Sequence, residues 1–258
     1  MFLLRLFVLN LLFWQINFAA WAANATDAKS YRLFQKSHVA GDLDVLVGAE
    51  GIRITKTKLG VVFVSKKPDW IVYEFSPAMK HYFSGGKMLV SGALFIQMSS
   101  AMGGVFLNTA PVHKTKTGIF AGVPSVEYST DKTYDASQRR LYQSQQAPGG
   151  IAASVDYTTA AASLCPPEAA SILAHLEAVP AVGCLPLKAD FTTVAGLRVK
   201  FLETKLVQPT PSKIEDFSVP PGFTKVDREG LVVQSLDDES NLMTIFDTKY
   251  GVIKNRKH

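Results

Sequence analysis

The chain carries only two cysteines, Cys165 and Cys184, and five histidines in 258 residues, and no two histidines are four positions apart. That scarcity argues against a redox pair, which wants Cys-x-x-Cys spacing, and against zinc, which wants four ligands. Charge is equally sparse. Lysine and arginine outnumber aspartate and glutamate by 27 to 22, and the excess is scattered, with one small cluster at Lys254, Arg256 and Lys257. Nucleic-acid binding calls for a basic stripe interleaved with aromatics, and none is present. Also missing are the Gly-x-Ser-x-Gly elbow, the His-Glu-x-x-His pair, the phosphate-binding Walker loop and the dinucleotide glycine fingerprint. Asp237, Asp238 and Glu239 cluster, but a helix first turn accounts for acids there through the dipole. His81 near Met79 and Met88 lacks the methionine spacing of a copper site, and a histidine on a strand surface is the simpler reading. The sequence therefore predicts no enzyme chemistry, no metal and no cofactor.

What is present begins with a leader-like segment. Arg5 precedes an apolar run from Leu6 to Ala20, and Ala20-Trp21-Ala22 places small residues where a signal peptidase reads. Asn10, Gln15 and Asn17 interrupt a run already short for a membrane span. The reading is a signal peptide over residues 1–22, an exported protein of periplasmic or extracellular location, and no stable membrane span once the leader is removed. An oxidising compartment favours pairing the two cysteines, so a Cys165–Cys184 disulfide is expected.

From Gly41 to Ser84 the text is strand after strand. Leu43, Val45 and Val47 share one face; Ile52 and Ile54 alternate with Arg53 and Thr55; turns fall at Ala49–Gly51, Leu59–Gly60, Lys66–Asp69 and Pro77–Ala78. Short connections between such runs predict an antiparallel meander. Further strands are expected at Val112–Lys116, Ser125–Thr130, Arg140–Ser144, Ala153–Thr158, Leu187–Val194 and Leu197–Val207. A short helix should start at Pro166-Pro167-Glu168, carry an apolar stripe of Ile172, Leu173, Leu176 and Val179, and stop at Pro180. Phe217 to Phe223 reads as a proline-stiffened edge element. The domain reading is one β-rich unit over residues 23–226, with a tail over 227–258 holding a short strand and a helix whose start resembles the capped pair Ser235 and Asp238.

One segment breaks the strand pattern. Met88 to Leu107 has no charged residue, and Ser91, Phe95, Met98, Met102 and Val105 fall at three- and four-residue spacing. It reads as a buried helix. Methionine is flexible and polarisable, so Met88, Met98 and Met102 with Phe95 either line an apolar ligand site or fill the core beneath the sheet.

Three stretches carry a likeness to a known group. They are Trp70 to Phe83, the glycine-led strand Gly122-Val123-Pro124-Ser125-Val126-Glu127-Tyr128, and the run from Leu187 to Asp216-Phe217-Ser218-Val219-Pro220-Pro221-Gly222-Phe223. Together these stretches resemble the periplasmic lipoprotein-carrier superfamily, which includes the outer-membrane lipoprotein-sorting carriers and related sigma-factor regulators. The resemblance implies a mainly β protein with a few helices: an open antiparallel half β-barrel with helices on its concave face. It implies an apolar ligand, a lipid or the acyl chains of a lipoprotein, under a movable helical cover, since roughly 0.8 kcal/mol is recovered for each methylene taken from water. The alternative is an envelope structural or sensing module that binds another protein.

Overall fold

The computed structural model describes residues 30–38, 40–86, 90, 112–130, 152–161, 164–193 and 196–233. Strands β1 (Ser30–Ser37), β2 (Gly41–Gly48), β3 (Gly51–Lys56), β4 (Val61–Lys66), β5 (Val72–Ser76) and β6 (His81–Gly85) form a continuous antiparallel meander. A second run comprises β7 (Val112–Phe120), β8 (Val123–Thr130), β9 (Ala152–Ala160), β10 (Pro186–Thr193) and β11 (Arg198–Pro209). The two runs join where β11 pairs with β1. With the two-residue strand β12 (Thr224–Lys225) they make one twelve-stranded sheet in the order β12-β6-β5-β4-β3-β2-β1-β11-β10-β9-β8-β7. The protein is thus mainly β with an open sheet, as the sequence implied.

Alternation sorts the side chains onto two faces, as the two-residue period of a strand requires. Tyr31, Leu33, Val45, Ile54, Phe63, Val72, Val155, Leu187, Phe191 and Leu202 belong to one buried cluster spanning β1 to β5 and β8 to β11. We call this the core face. Helix α1 (Pro167–Leu176) lies on it and packs against β3 and β10. Pro167 occupies its first turn with Glu168 beside it, and Ile172, Leu173 and Leu176 are buried, as the sequence pattern anticipates. The opposite face carries a smaller cluster in which Val62, Val64 and Phe75 meet Tyr73, Tyr82, Val219 and Phe223. Strands β4 and β5 are therefore covered on both sides, which explains why Val61 to Ser65 is buried without alternation.

Several details differ from the sequence reading. Strand β1, which the reading from Gly41 onward omits, sits mid-sheet between β2 and β11. Its alternation is disguised because Gln35 points to the core and Phe34 is exposed. The segment expected as an edge element begins as a 3-10 turn, Ile214–Phe217, lying on the sheet face; the edge itself is β12 a few residues later. Leu231 falls in another 3-10 turn, Glu229–Val232. Met79 belongs to the turn before β6 rather than to the strand. The expected helices over Met88–Leu107 and after Ser235, and the strand at Arg140–Ser144, lie outside the described residues.

Two turns show how local sequence sets the geometry. Ala121 and Gly122 both have positive φ, 50° and 82°, and Phe120 pairs with Val123 around them. That is the two-residue hairpin whose twist matches its flanking strands. Gly51 is required for a different reason: a Cβ there would lie 2.6 Å from both the Phe217 ring and the Ser65 carbonyl oxygen.

Candidate functional site

Of the residues singled out in the sequence, Met88, Phe95, Met98 and Met102 lie outside the described residues. Val90 in the same stretch is buried in the core cluster, and its N–H donates to the Gly86 carbonyl at 3.2 Å. Cys165 and Cys184 are both present as thiols, Cys165 buried and Cys184 half-buried. Burial pushes the Cys165 thiol up to about 12, and the nearby Cys184 adds to the rise. Burial, with Cys184 and Tyr128 contributing, also raises the Tyr157 phenol. The two thiols and Tyr157 thus share one apolar neighbourhood at the foot of the excursion that carries α1.

The densest chemistry lies elsewhere on the core face. Lys56 follows Ile52 and Ile54 at the same parity on β3, so its side chain enters the core and is 1 % exposed. Its Nζ donates to the Leu176 carbonyl at 3.0 Å and stands 3.0 Å from Glu177 Oε1, whose side chain is fully buried just past the end of α1. The ion pair closes without hydrogen-bond alignment: neither Glu177 carboxylate oxygen has a hydrogen-bond partner among the described residues. Lys56 also lies 5.2 Å from the Phe63 ring centroid. A cation at the C-terminal end of a helix meets both the unsatisfied carbonyls and the negative end of the dipole. Lys56 thereby acts on α1 as a cap delivered from the sheet.

Glu74 on β5 stands directly opposite Phe63 in the strand register and shares this face. It is buried, and its Oε2 has no hydrogen-bond partner among the described residues. Burial first, then the hydrogen bond and charge of Glu229, raise its carboxyl to about 9 against the opposing pull of Lys56. Glu74 is accordingly protonated at neutral pH and donates toward Glu229. The result is a row of three buried side chains, Glu177, Lys56 and Glu74, continued by half-buried Glu229, drawn from four elements. Parity was the signal that could have found Lys56 and Glu74, each being a charged residue at a core-facing position of an otherwise apolar strand.

The rest of the core face holds a second polar set. Gln35 Nε2 donates to the Pro186 carbonyl at 2.9 Å and to Thr204 Oγ1 at 2.8 Å, fastening β1 to β10 across β11. Thr159 Oγ1 and Tyr157 OH have no partner among the described residues. On the other face Arg198 bridges Asp156 and Asp190 at 3.3 and 3.0 Å, and Lys188 Nζ stands 3.1 Å from Asp190, so two cations meet the two carboxylates that β9 and β10 place opposite each other. His81, expected on a strand surface, is half-buried at the start of β6, with Nδ1 3.1 Å from the Leu231 carbonyl oxygen.

Among the described residues no group of three or more histidine, cysteine, aspartate or glutamate side chains is placed to hold a metal ion. None of their helices is long and apolar enough to cross a membrane. No family model matches the chain, and no curated protein matches it. Among solved structures it is similar to an uncharacterized conserved protein from Thermus thermophilus, with 7 % sequence identity and a TM-score of 0.34, over 82 % of this chain and 97 % of that one. A likeness of that degree bears on neither family nor function.

Proposed function

We propose that this chain is an exported, non-enzymatic binding protein that holds an apolar ligand, a lipid or lipoprotein acyl chains, against the core face of a half-barrel sheet beneath a helical cover. The observation that carries this reading is the continuity of the apolar face. One cluster runs through nine strands, in a sheet whose end strands β7 and β12 are not paired with each other. Nine strands span about 40 Å at the usual spacing, whereas the ten residues of α1 reach about 15 Å. The cover of such a face is composite, and any part that lifts opens an apolar trough wide enough for acyl chains. Each methylene laid in it recovers roughly 0.8 kcal/mol. The Lys56 anchorage fits this use, since it holds α1 at one end through a polar contact rather than through apolar packing alone.

Native mass spectrometry and lipid extraction of the purified protein test the reading, together with titration by a fluorescent fatty acid. Co-purified lipid or saturable probe binding is the expected result. Repeated recovery of empty protein that also ignores the probe would overturn it.

The alternative, an envelope structural or sensing module that binds another protein, is favoured by β7. Seven of its nine residues are exposed, and its outer edge pairs with no strand among the described residues. Such an edge is a template for strand addition. Thr117→Pro should then abolish capture of the envelope partner while leaving probe binding intact. Unchanged capture would remove the case for β7.

A further inference from the structure

The chain from Ile214 to Val233 passes from one face of the sheet to the other around the β6 edge. On the outer side Phe217 is buried beside Gly51, and Phe223 meets Phe75 edge-on at 5.2 Å with Lys80 Nζ 4.9 Å above its ring. At the edge the Thr224 and Val226 N–H groups donate to the Lys80 and Tyr82 carbonyls, both at 2.8 Å, forming the only parallel pairing among the described strands. On the core side Val232 is buried and Val233 packs against the main cluster.

A two-residue parallel strand is a weak fastening on its own, and the edge would fray if nothing else held it. The turn Glu229–Val232 is also held by two polar contacts, His81 Nδ1 to the Leu231 carbonyl oxygen and Glu74 to Glu229. The second joins two carboxyl groups. It attracts only while one of them keeps its proton, because two carboxylates in a buried contact repel.

We propose that the segment Phe223–Val232 is an edge strap whose clasp is a proton shared between Glu74 and Glu229. The device goes beyond the ligand reading and does not rest on it. With the proton in place, Glu74 donates to Glu229, the 3-10 turn seats Val232 in the core, and β12 covers the start of β6. When the proton leaves, two negative charges face each other under the turn, and the strap swings off the edge while the meander remains folded.

The charged and titratable groups around the clasp agree with this assignment. From β3, Lys56 faces Glu74 and pulls toward ionisation, but it is already engaged with Glu177 and the Leu176 carbonyl at the end of α1. From β6, His81 donates to the strap backbone rather than to either carboxyl. Arg53 and Lys80 stand over Phe75 and Phe223 on the opposite face. Within the strap, Asp227 and Arg228 pair with each other and are exposed. Glu229 is only half-buried, so substituting it leaves the core intact.

Hydrogen exchange of the full chain between pH 7 and pH 10, corrected for intrinsic exchange rates, tests the clasp on peptides covering 223–233. In the wild type, protection of these amides should fall roughly tenfold per pH unit from pH 7 up to about pH 9, where the clasp titrates, and level off above it. Peptides of β1 and β2 should hold theirs. Glu74→Gln keeps an N–H donor toward Glu229 without a titrating proton, and Glu229→Gln removes one charge. Both should keep the strap protected at pH 10. A flat wild-type profile overturns the proposal, as does a parallel loss in the wild type and both variants, or loss of strap and meander together.

Discussion

Lys56 and Glu177 form an ion pair at 3.0 Å with both side chains sealed from solvent, one on β3 and the other just beyond α1. The same ammonium donates to the Leu176 carbonyl, so a single side chain satisfies the helix terminus and neutralises the carboxylate that follows it. Desolvation of two ions offsets much of their attraction, so the pair contributes position more than net stability. It fixes which turn of α1 rests on β3, a choice that leucine and alanine side chains alone would leave loosely specified.

Lys56→Ala should therefore cost about 3–5 kcal/mol, because Glu177 and the Leu176 carbonyl are left buried without their cation. The paired change Lys56→Met with Glu177→Leu should cost less than either single change. Urea unfolding of the two singles and the double measures this directly. Additive losses would show that the two side chains do not act as a pair.

Much of the architecture was legible because hairpins announce themselves locally. The turns at Leu59–Gly60 and Pro77–Ala78, the helix start at Pro167 and its stop before Pro180 are read from residues whose backbone preferences are strong. The closure of β11 onto β1 was not legible, since it joins residues at opposite ends of the described chain and leaves no local mark. Strand β1 was hidden by Phe34 on the outside and Gln35 on the inside, an inversion of the usual pattern. The polar row was missed for a related reason. Lys56 stands at the last position of β3, where a charge usually meets solvent, Glu74 looks solvent-facing until the second covered face of β4 and β5 is known, and Glu229 reaches Glu74 only because the strap turns the sheet edge.

The Glu74 carboxyl predicts how stability varies with pH. Its ordinary value is 4.5, and in the folded chain it rises to about 9. Between those values the folded state holds a proton that the unfolded chain has released, so stability falls as pH rises. The contribution is fully present below about 4.5 and is gone above about 9, with a slope of about 1.4 kcal/mol per pH unit between. Denaturant midpoints from pH 5 to pH 9 should show this decline in the wild type and a flatter line in Glu74→Gln. Identical slopes would mean that Glu74 is ionised in the folded protein.

Gly51→Ala tests how closely the strap approach is packed. The added methyl would meet the Phe217 ring and the Ser65 carbonyl at 2.6 Å, and Phe217 Cβ at 2.8 Å. Two of those three atoms cannot be moved by rotating a side chain, so Phe217→Ala should not rescue the variant. A loss of about 1–3 kcal/mol is expected from overpacking. A melting temperature unchanged from wild type would show that β3 and the 3-10 turn at Ile214–Phe217 separate more readily than their contact suggests.

Cys165 and Cys184 flank the excursion that leaves β9, forms α1 and returns to β10, and at its foot the Ala160 N–H donates to the Leu185 carbonyl at 3.0 Å. Their mutual influence puts both sulfurs in that foot. Burial withholds the Cys165 proton, so attack on an external disulfide begins at half-buried Cys184; the mixed disulfide is then resolved by Cys165. With oxidised glutathione the exchange balances as one disulfide formed in the protein and two glutathione thiols released. Closing a loop of about twenty residues should add roughly 3 kcal/mol in the chain-entropy account. Non-reducing peptide mapping after glutathione treatment should recover the two cysteine peptides joined, and Cys184→Ser should abolish both the link and the gain in unfolding midpoint. Complete alkylation of both cysteines after that treatment would show that the thiols share a neighbourhood without the geometry to bond.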